Sequence, residues 1–191
     1  LACALLGARA YEFLDIAAVS TVADSVPLVG ENRDIVFEGL RLIRRKPRRA
    51  LALLLAGRKD EVTAQTLAFT IAPRVNAAGR MGDAGSALRL LSSEDEGEIY
   101  ELSCRLNEFN LERQQLCDEV YRSAKQKLKE QGAFGNVIML CDESWNTGLV
   151  GIVAARISEE FNRPAILFVK KGDCLKGSAR TIENINIYEA L

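Results

Sequence analysis

The sequence predicts an α/β protein in which a helical front part and a layered back part are joined by one long helix. Three observations carry this. In the back part "NVIMLCD" reads as a buried strand, "RPAILFVKK" as a second strand and "DCLKGSAR" as a third, with the helix "NTGLVGIVAARISEEFN" opened by glycines after the first. That alternation belongs to α/β layers. Between the parts, Ile99, Leu102, Leu106, Phe109, Leu116 and Val120 recur at steps of three and four or their multiples, the stripe of an amphipathic helix. In front, apolar runs are separated by caps and breakers instead of strand-like alternation.

Taken in order, "YEFLDIAAVST" is apolar and rich in small residues, a helix or a buried strand. Asn32 is placed to cap a helix through about Lys46, with Ile35, Val36, Leu40 and Ile43 facing the core and Pro47 breaking it. "ALALLLAG" is a short helix ending at Gly57. Thr63 caps another that runs toward Pro73. Ser93 followed by Glu96 has the pattern of a capping box, and Gly132 supplies a stop. A helix from about Glu94 to Glu130 would be roughly 55 Å long and suits a rigid spacer between two lobes.

Composition narrows the function classes. The 191 residues are 48% hydrophobic and 27% charged, with a net charge of −1. These are values of a soluble globular protein, and no run approaches the roughly 18 apolar residues of a membrane helix. The chain has no histidine, so His-ligated zinc, His general bases and Ser-His-Asp triads are excluded. Five cysteines, Cys3, Cys104, Cys117, Cys141 and Cys174, form no C-x-x-C pair and read as reduced, mostly buried thiols in a cytoplasmic protein. The chain starts at Leu1 and stops within "NIYEAL", a helix beginning, so a piece of a longer protein is expected. "RLIRRKPRR" gathers six basic residues between Arg41 and Arg49. It is either a phosphate-neutralising cluster or a solvated helix end favoured by the helix dipole.

Four segments could carry chemistry. "TVADSVPL" sets the carboxylate of Asp24 in an apolar, small-residue run, costly unless something pairs with it. In "PRVNAAGRMGDAG", Asn76 and Arg80 flank small residues that a ligand could approach closely, and Arg74 and Arg80 are phosphate forks. The plainer reading is a turn with solvent-facing arginines, followed by a helix from Asp83. In "WNTGLVGIVAARI", Gly148 and Gly151 lie at a strand-to-helix junction where backbone N–H groups can face an anion, with Asn146 just before. Gly151 equally suits close packing of that helix on the sheet. In "LKGSARTI", Ser178 and Arg180 are two apart on an extended segment and point the same way. They could grip one phosphate, with room left by Gly177 and Ala179, or simply face solvent.

In this order the four motifs resemble the RecJ family of single-stranded-DNA-specific 5′→3′ exonucleases, in the DHH phosphoesterase superfamily. The resemblance spans about Tyr11 to Leu191. It implies the C-terminal part of a DHH domain over 1–92, a long connecting helix over 93–132 and a DHHA1 α/β domain over 133–191, with a cleft between the domains. It further implies a pair of divalent ions, Mn2+ or Mg2+, that activate water against a phosphodiester. Asp24 of the "VAD" motif would be one ligand, catalytic in that sense. Ser178 and Arg180 would recognise a 5′ phosphate, and Arg74, Asn76, Arg80, Asn146, Gly148 and Gly177 would complete the binding of a single DNA strand. The Asp-His-His signature and the upstream Asp motifs are absent, Ala179 stands where Gly is common, Thr181 where Ser is common, and Asn146 where some members have His. A monomer acting in DNA repair and recombination, away from membranes and inactive as this chain alone, is the accompanying expectation. Two other readings compete. An oligoribonuclease or nucleotide phosphatase of the same superfamily needs a Gly-Gly-Gly-His motif that a chain without histidine lacks. A non-catalytic nucleic-acid-binding module is the other, and "VAD" and "NAAGR" argue against it.

Overall fold

The computed structural model describes residues 7–132, 135–183, 185, 186 and 189; Cys3 and most of the "NIYEAL" helix start lie outside them. The chain divides into two compact units within one long helix, Leu1–Asn110 and Leu111–Leu191.

The first unit is all helical. A 3-10 stretch Gly7–Phe13 leads into α1 (Leu14–Ala23), followed by α2 (Glu31–Arg45) and α3 (Arg49–Leu54). The run "YEFLDIAAVST" is thus helical. Gly30, at φ 51°, makes the turn into α2. Asn32 therefore falls inside the first turn, where a side chain cannot cap; its Nδ2 donates instead to Pro27 O at 3.1 Å. Val36, Leu40 and Ile43 are buried as expected, while Ile35 is half-buried.

Thr63 caps α4 (Ala64–Thr66), but the helical path does not end at Pro73. A π-helical segment, Leu67–Ile71, widens the turn, so that Ala72 N–H bonds to Leu67 O. Pro73 then sits in the first turn of α5 (Ala72–Arg80), where a missing N–H and fixed φ are tolerated. The segment "RVNAAGR" is consequently a helix and not a turn. Ala77 and Ala78, expected to open the backbone to a ligand, are buried in the core. Asp83 caps α6 (Ala84–Ser92), its carboxylate accepting from the Ser86 N–H.

Helix α7 (Glu96–Gln131) has 36 residues, about 54 Å at 1.5 Å per residue. Its cap lies two residues beyond the Ser93–Glu96 pattern. Asp95 Oδ1 accepts from Glu98 N–H at 2.6 Å, and Ser93 Oγ donates to the Glu98 carboxylate at 2.5 Å. Ile99, Leu102 and Leu106 enter the core of the first unit with Leu51, Leu67, Ile71 and Leu90. Val120, Ala124 and Leu128 enter the core of the second.

The second unit is a three-stranded mixed sheet with strand order β1-β2-β3 and the helix α8 (Val150–Phe161). β1 (Ile138–Cys141) runs parallel to β2 (Ala165–Lys171), which pairs antiparallel with β3 (Cys174–Arg180). β1 is buried on one face only: Ile138 and Leu140 are covered, Met139 and Cys141 exposed. The cysteines also depart from expectation. Cys104, Cys141 and Cys174 are exposed and Cys117 is half-buried, because each sits on the outer side of its helix or strand. No helix among the described residues is long and apolar enough to cross a membrane.

Candidate functional site

In the first unit Asp24 closes the C-terminal end of α1, its N–H bonded to Ser20 O at 3.0 Å. It is exposed, so the desolvation cost expected of a charge in an apolar run does not arise. The cost is a different one: a carboxylate at the negative end of a helix dipole is disfavoured unless a cation is near. No side-chain partner holds it among the described residues, and no group of three His, Cys, Asp or Glu side chains there could hold a metal ion.

Helix α5 splits its polar residues between two directions. Asn76 and Arg80, one helical turn apart, are both exposed on one face with Gly79 beside them. Arg74 is half-buried; its Nε donates to Asn107 Oδ1 at 2.6 Å and its Nη1 to Thr70 O at 2.5 Å. Burial, and then the neighbouring charge of Arg58, lower its pKa. Asn107, on α7, was not singled out by the sequence, since its role depends on a partner 33 residues away.

In the second unit strand alternation decides the geometry. Ser178 and Arg180 share the face of β3 turned to α8, and Arg180 Nη1 lies 3.4 Å from Ser178 Oγ and 2.9 Å from Ala179 O. Opposite them is Gly151, in the first turn of α8. A Cβ there would stand 2.9 Å from Ser178 Oγ and 3.4 Å from Arg180 Nη2. The glycine thus does more than let helix meet sheet: it leaves the room that the Ser–Arg pair occupies. Gly177 is on the other face. A Cβ on it would meet the Phe168 ring at 2.6 Å and Leu167 O at 2.8 Å, so its missing side chain accommodates Phe168 and leaves no room beside Ser178. Asn146 and Gly148 come together in the turn before α8, Gly148 N–H donating to Asn146 Oδ1 at 2.8 Å. That amide is occupied by the turn, and Asn146 O in turn accepts from the N–H groups of Leu149 and Val150.

The basic run near Arg41 is partly consumed by structure. Arg44 pairs with Glu61 at 3.0 Å and donates to Val62 O, and Arg49 pairs with Glu96 at 2.8 Å. Arg48 pairs at 3.0 Å with Asp15, a carboxylate only 2% exposed.

Comparison with known proteins follows the same lines. The DHHA1 domain model matches residues 134–191. The chain is 41% identical over 197 residues to the single-stranded-DNA-specific exonuclease RecJ of Bacillus subtilis (strain 168), covering all of this chain and 25% of that protein. The RecJ of Escherichia coli (strain K12) is 35% identical, over 94% of this chain and 33% of that protein. The crystal structure of RecJ from Thermus thermophilus in complex with Mg2+ matches with a TM-score of 0.84 and 40% identity, over 95% of this chain and 28% of that one. A structure of exonuclease RecJ bound to manganese matches with a TM-score of 0.77 and 40% identity, over 95% of this chain and 45% of that one. The chain spans between a quarter and a third of the length of these curated relatives. The long helix, the small sheet that follows it and the likeness over nearly the whole of this chain at this identity agree, and the chain belongs to the RecJ family.

Proposed function

We propose that the chain forms part of a single-stranded-DNA-specific 5′→3′ exonuclease used in DNA repair and recombination, and that its second unit recognises the 5′ phosphate end. The observation that carries this reading is the Ser178–Arg180 pair held on one strand face opposite Gly151. A guanidinium and a hydroxyl converging on one space suit a phosphate, through charge-assisted hydrogen bonds. The side chains of Asn76 and Arg80, exposed together on α5, would bind the backbone of the strand. Arg74 contributes by way of its bonds to Thr70 and Asn107, and Asn146 by fixing the turn that presents Gly148 and the start of α8.

Asp24 fits one ligand position for Mn2+ or Mg2+: it is a hard oxygen donor, exposed, without a competing side-chain partner among the described residues, at a helix end that favours a cation. Such ions activate water and neutralise charge on a scissile phosphodiester. With one candidate ligand among its described residues, the chain by itself binds strands without cutting them.

Fluorescence anisotropy with labelled single strands differing only at the 5′ end tests the phosphate reading. The chain should bind the 5′-phosphorylated strand more tightly than the 5′-hydroxyl strand, and Arg180→Ala should erase that preference. Equal binding of the two strands by the unaltered chain overturns it.

A further inference from the structure

Helix α2 has no part in the function proposed above, yet it carries an unusual outer surface. Arg33, Phe37, Arg41 and Arg45 follow one another at steps of four and are all exposed. Residues four apart on a helix are neighbours, so they form one continuous strip about 18 Å long. Phe37 is 61% exposed, a large apolar ring among cations. Beside the strip a groove of about 220 Å³ is lined by Tyr11, Leu14, Glu38, Arg41, Leu42 and Arg45. Tyr11 is itself 65% exposed.

The charges of the strip are available. Arg33 and Arg45 have no side-chain partner among the described residues. Arg41 pairs with Glu38 at 3.0 Å, but both side chains are largely exposed, and such pairs are weak and exchange readily for a phosphate. The strip begins where α2 meets the Asp24 segment, which Asn32 ties to the helix through Pro27 O. Alternating cations and exposed aromatic rings are the combination that binds single strands, the cations tracking phosphates and the rings stacking on bases without sequence preference.

We propose that Arg33, Phe37, Arg41 and Arg45, with Tyr11 alongside, form a track for single-stranded nucleic acid that leads along α2 from the Asp24 segment. This rests on the functional reading above and assigns to that enzyme a strand-binding surface separate from the 5′-phosphate pair. The solvated-helix reading of the basic run predicts no such binding, and the rings of Phe37 and Tyr11 would then have no ligand.

The test uses a 5′-hydroxyl oligo-dT strand, so that the Ser178–Arg180 pair contributes least. Arg33→Gln with Arg45→Gln should weaken binding and reduce the slope of log affinity against log salt by about 1.4, at about 0.7 per phosphate contact. Phe37→Trp supplies a readout that does not depend on losing anything: its fluorescence should be quenched as the strand stacks. Binding by the unaltered chain with an unchanged slope in the double variant and no quenching overturns the track and leaves the 5′-phosphate reading standing. So does binding confined to 5′-phosphorylated strands. No binding of any strand overturns both. Displacement by poly-glutamate as effective as by unlabelled strand overturns the track in favour of an acidic protein partner.

Discussion

Gly151 owes its importance to two side chains on another element. A methyl group at that position would stand 2.9 Å from Ser178 Oγ, too close for the pair to keep its place. Alanine in a helix is otherwise favoured over glycine by about 1 kcal/mol. Gly151→Ala should therefore hold or gain thermal stability while losing the preference for a 5′-phosphorylated strand, read by melting and anisotropy on the same sample. Loss of both together would mean that the glycine serves packing alone. Among the carboxylates, the cost of a charge in an apolar run falls on a different aspartate from the one the sequence suggests. Asp24 is exposed, whereas Asp15, in the run "YEFLDIAAVST", is buried. Its compensation is Arg48, with Oδ1 also accepting from the Ile16 N–H at 2.8 Å. The carboxylate at 15 is visible in the sequence, but its partner is 33 residues away, beyond any local pattern.

At the scale of elements, α1 and α2 meet at Gly39. A Cβ there would lie 2.3 Å from the Leu14 carbonyl oxygen and 2.4 Å from the Ala18 Cβ. The first of these is backbone and cannot swing aside. Gly39→Ala should cost about 3 kcal/mol or more, measured by denaturant unfolding; a variant as stable as the parent would show that the helices separate freely. In the second unit Asp142 directly follows β1. Its carboxyl is held at about 2 by the Ser144 hydroxyl, then the Ser144 N–H, then Lys127 at 3.0 Å. Because that pKa is depressed in the folded state, the stabilisation is fully present above the ordinary carboxylate value near 4 and is lost as pH falls toward about 2. Asp142→Asn should lower stability at neutral pH, with the gap to the parent closing between about pH 4 and about pH 2. A gap independent of pH would assign the loss to the asparagine itself.

On the scale of the whole molecule, the described residues hold one candidate metal ligand, Asp24 in the first unit, and one candidate phosphate-binding pair, Ser178 and Arg180 in the second. Incubated with Mn2+ or Mg2+, the chain should leave labelled single-stranded DNA intact, as followed on a denaturing gel. Progressive shortening from the 5′ end that Asp24→Asn abolishes would show that the chain assembles a complete metal site. The long helix and the strands were legible because each rests on local pattern: the apolar stripe of α7, the buried run of β2, the caps at Thr63 and Asp83. The stretch "RVNAAGR" was not. Its proline and glycine suggest a turn, and the π-helical segment that absorbs Pro73 comes from packing of Leu67 and Ile71 into the core.

The sequence by itself determined the family, the α/β class, the long helix and the shared face of Ser178 and Arg180, because motif order and residue period are written in the chain. Tertiary structure alone decided that Gly151 faces that pair while Gly177 serves Phe168, that Arg74 is held by Asn107, and that four of the basic residues near Arg41 have acidic partners. Each of these depends on which surfaces meet across distant stretches of chain, and burial, pairing and close approach are properties of that meeting.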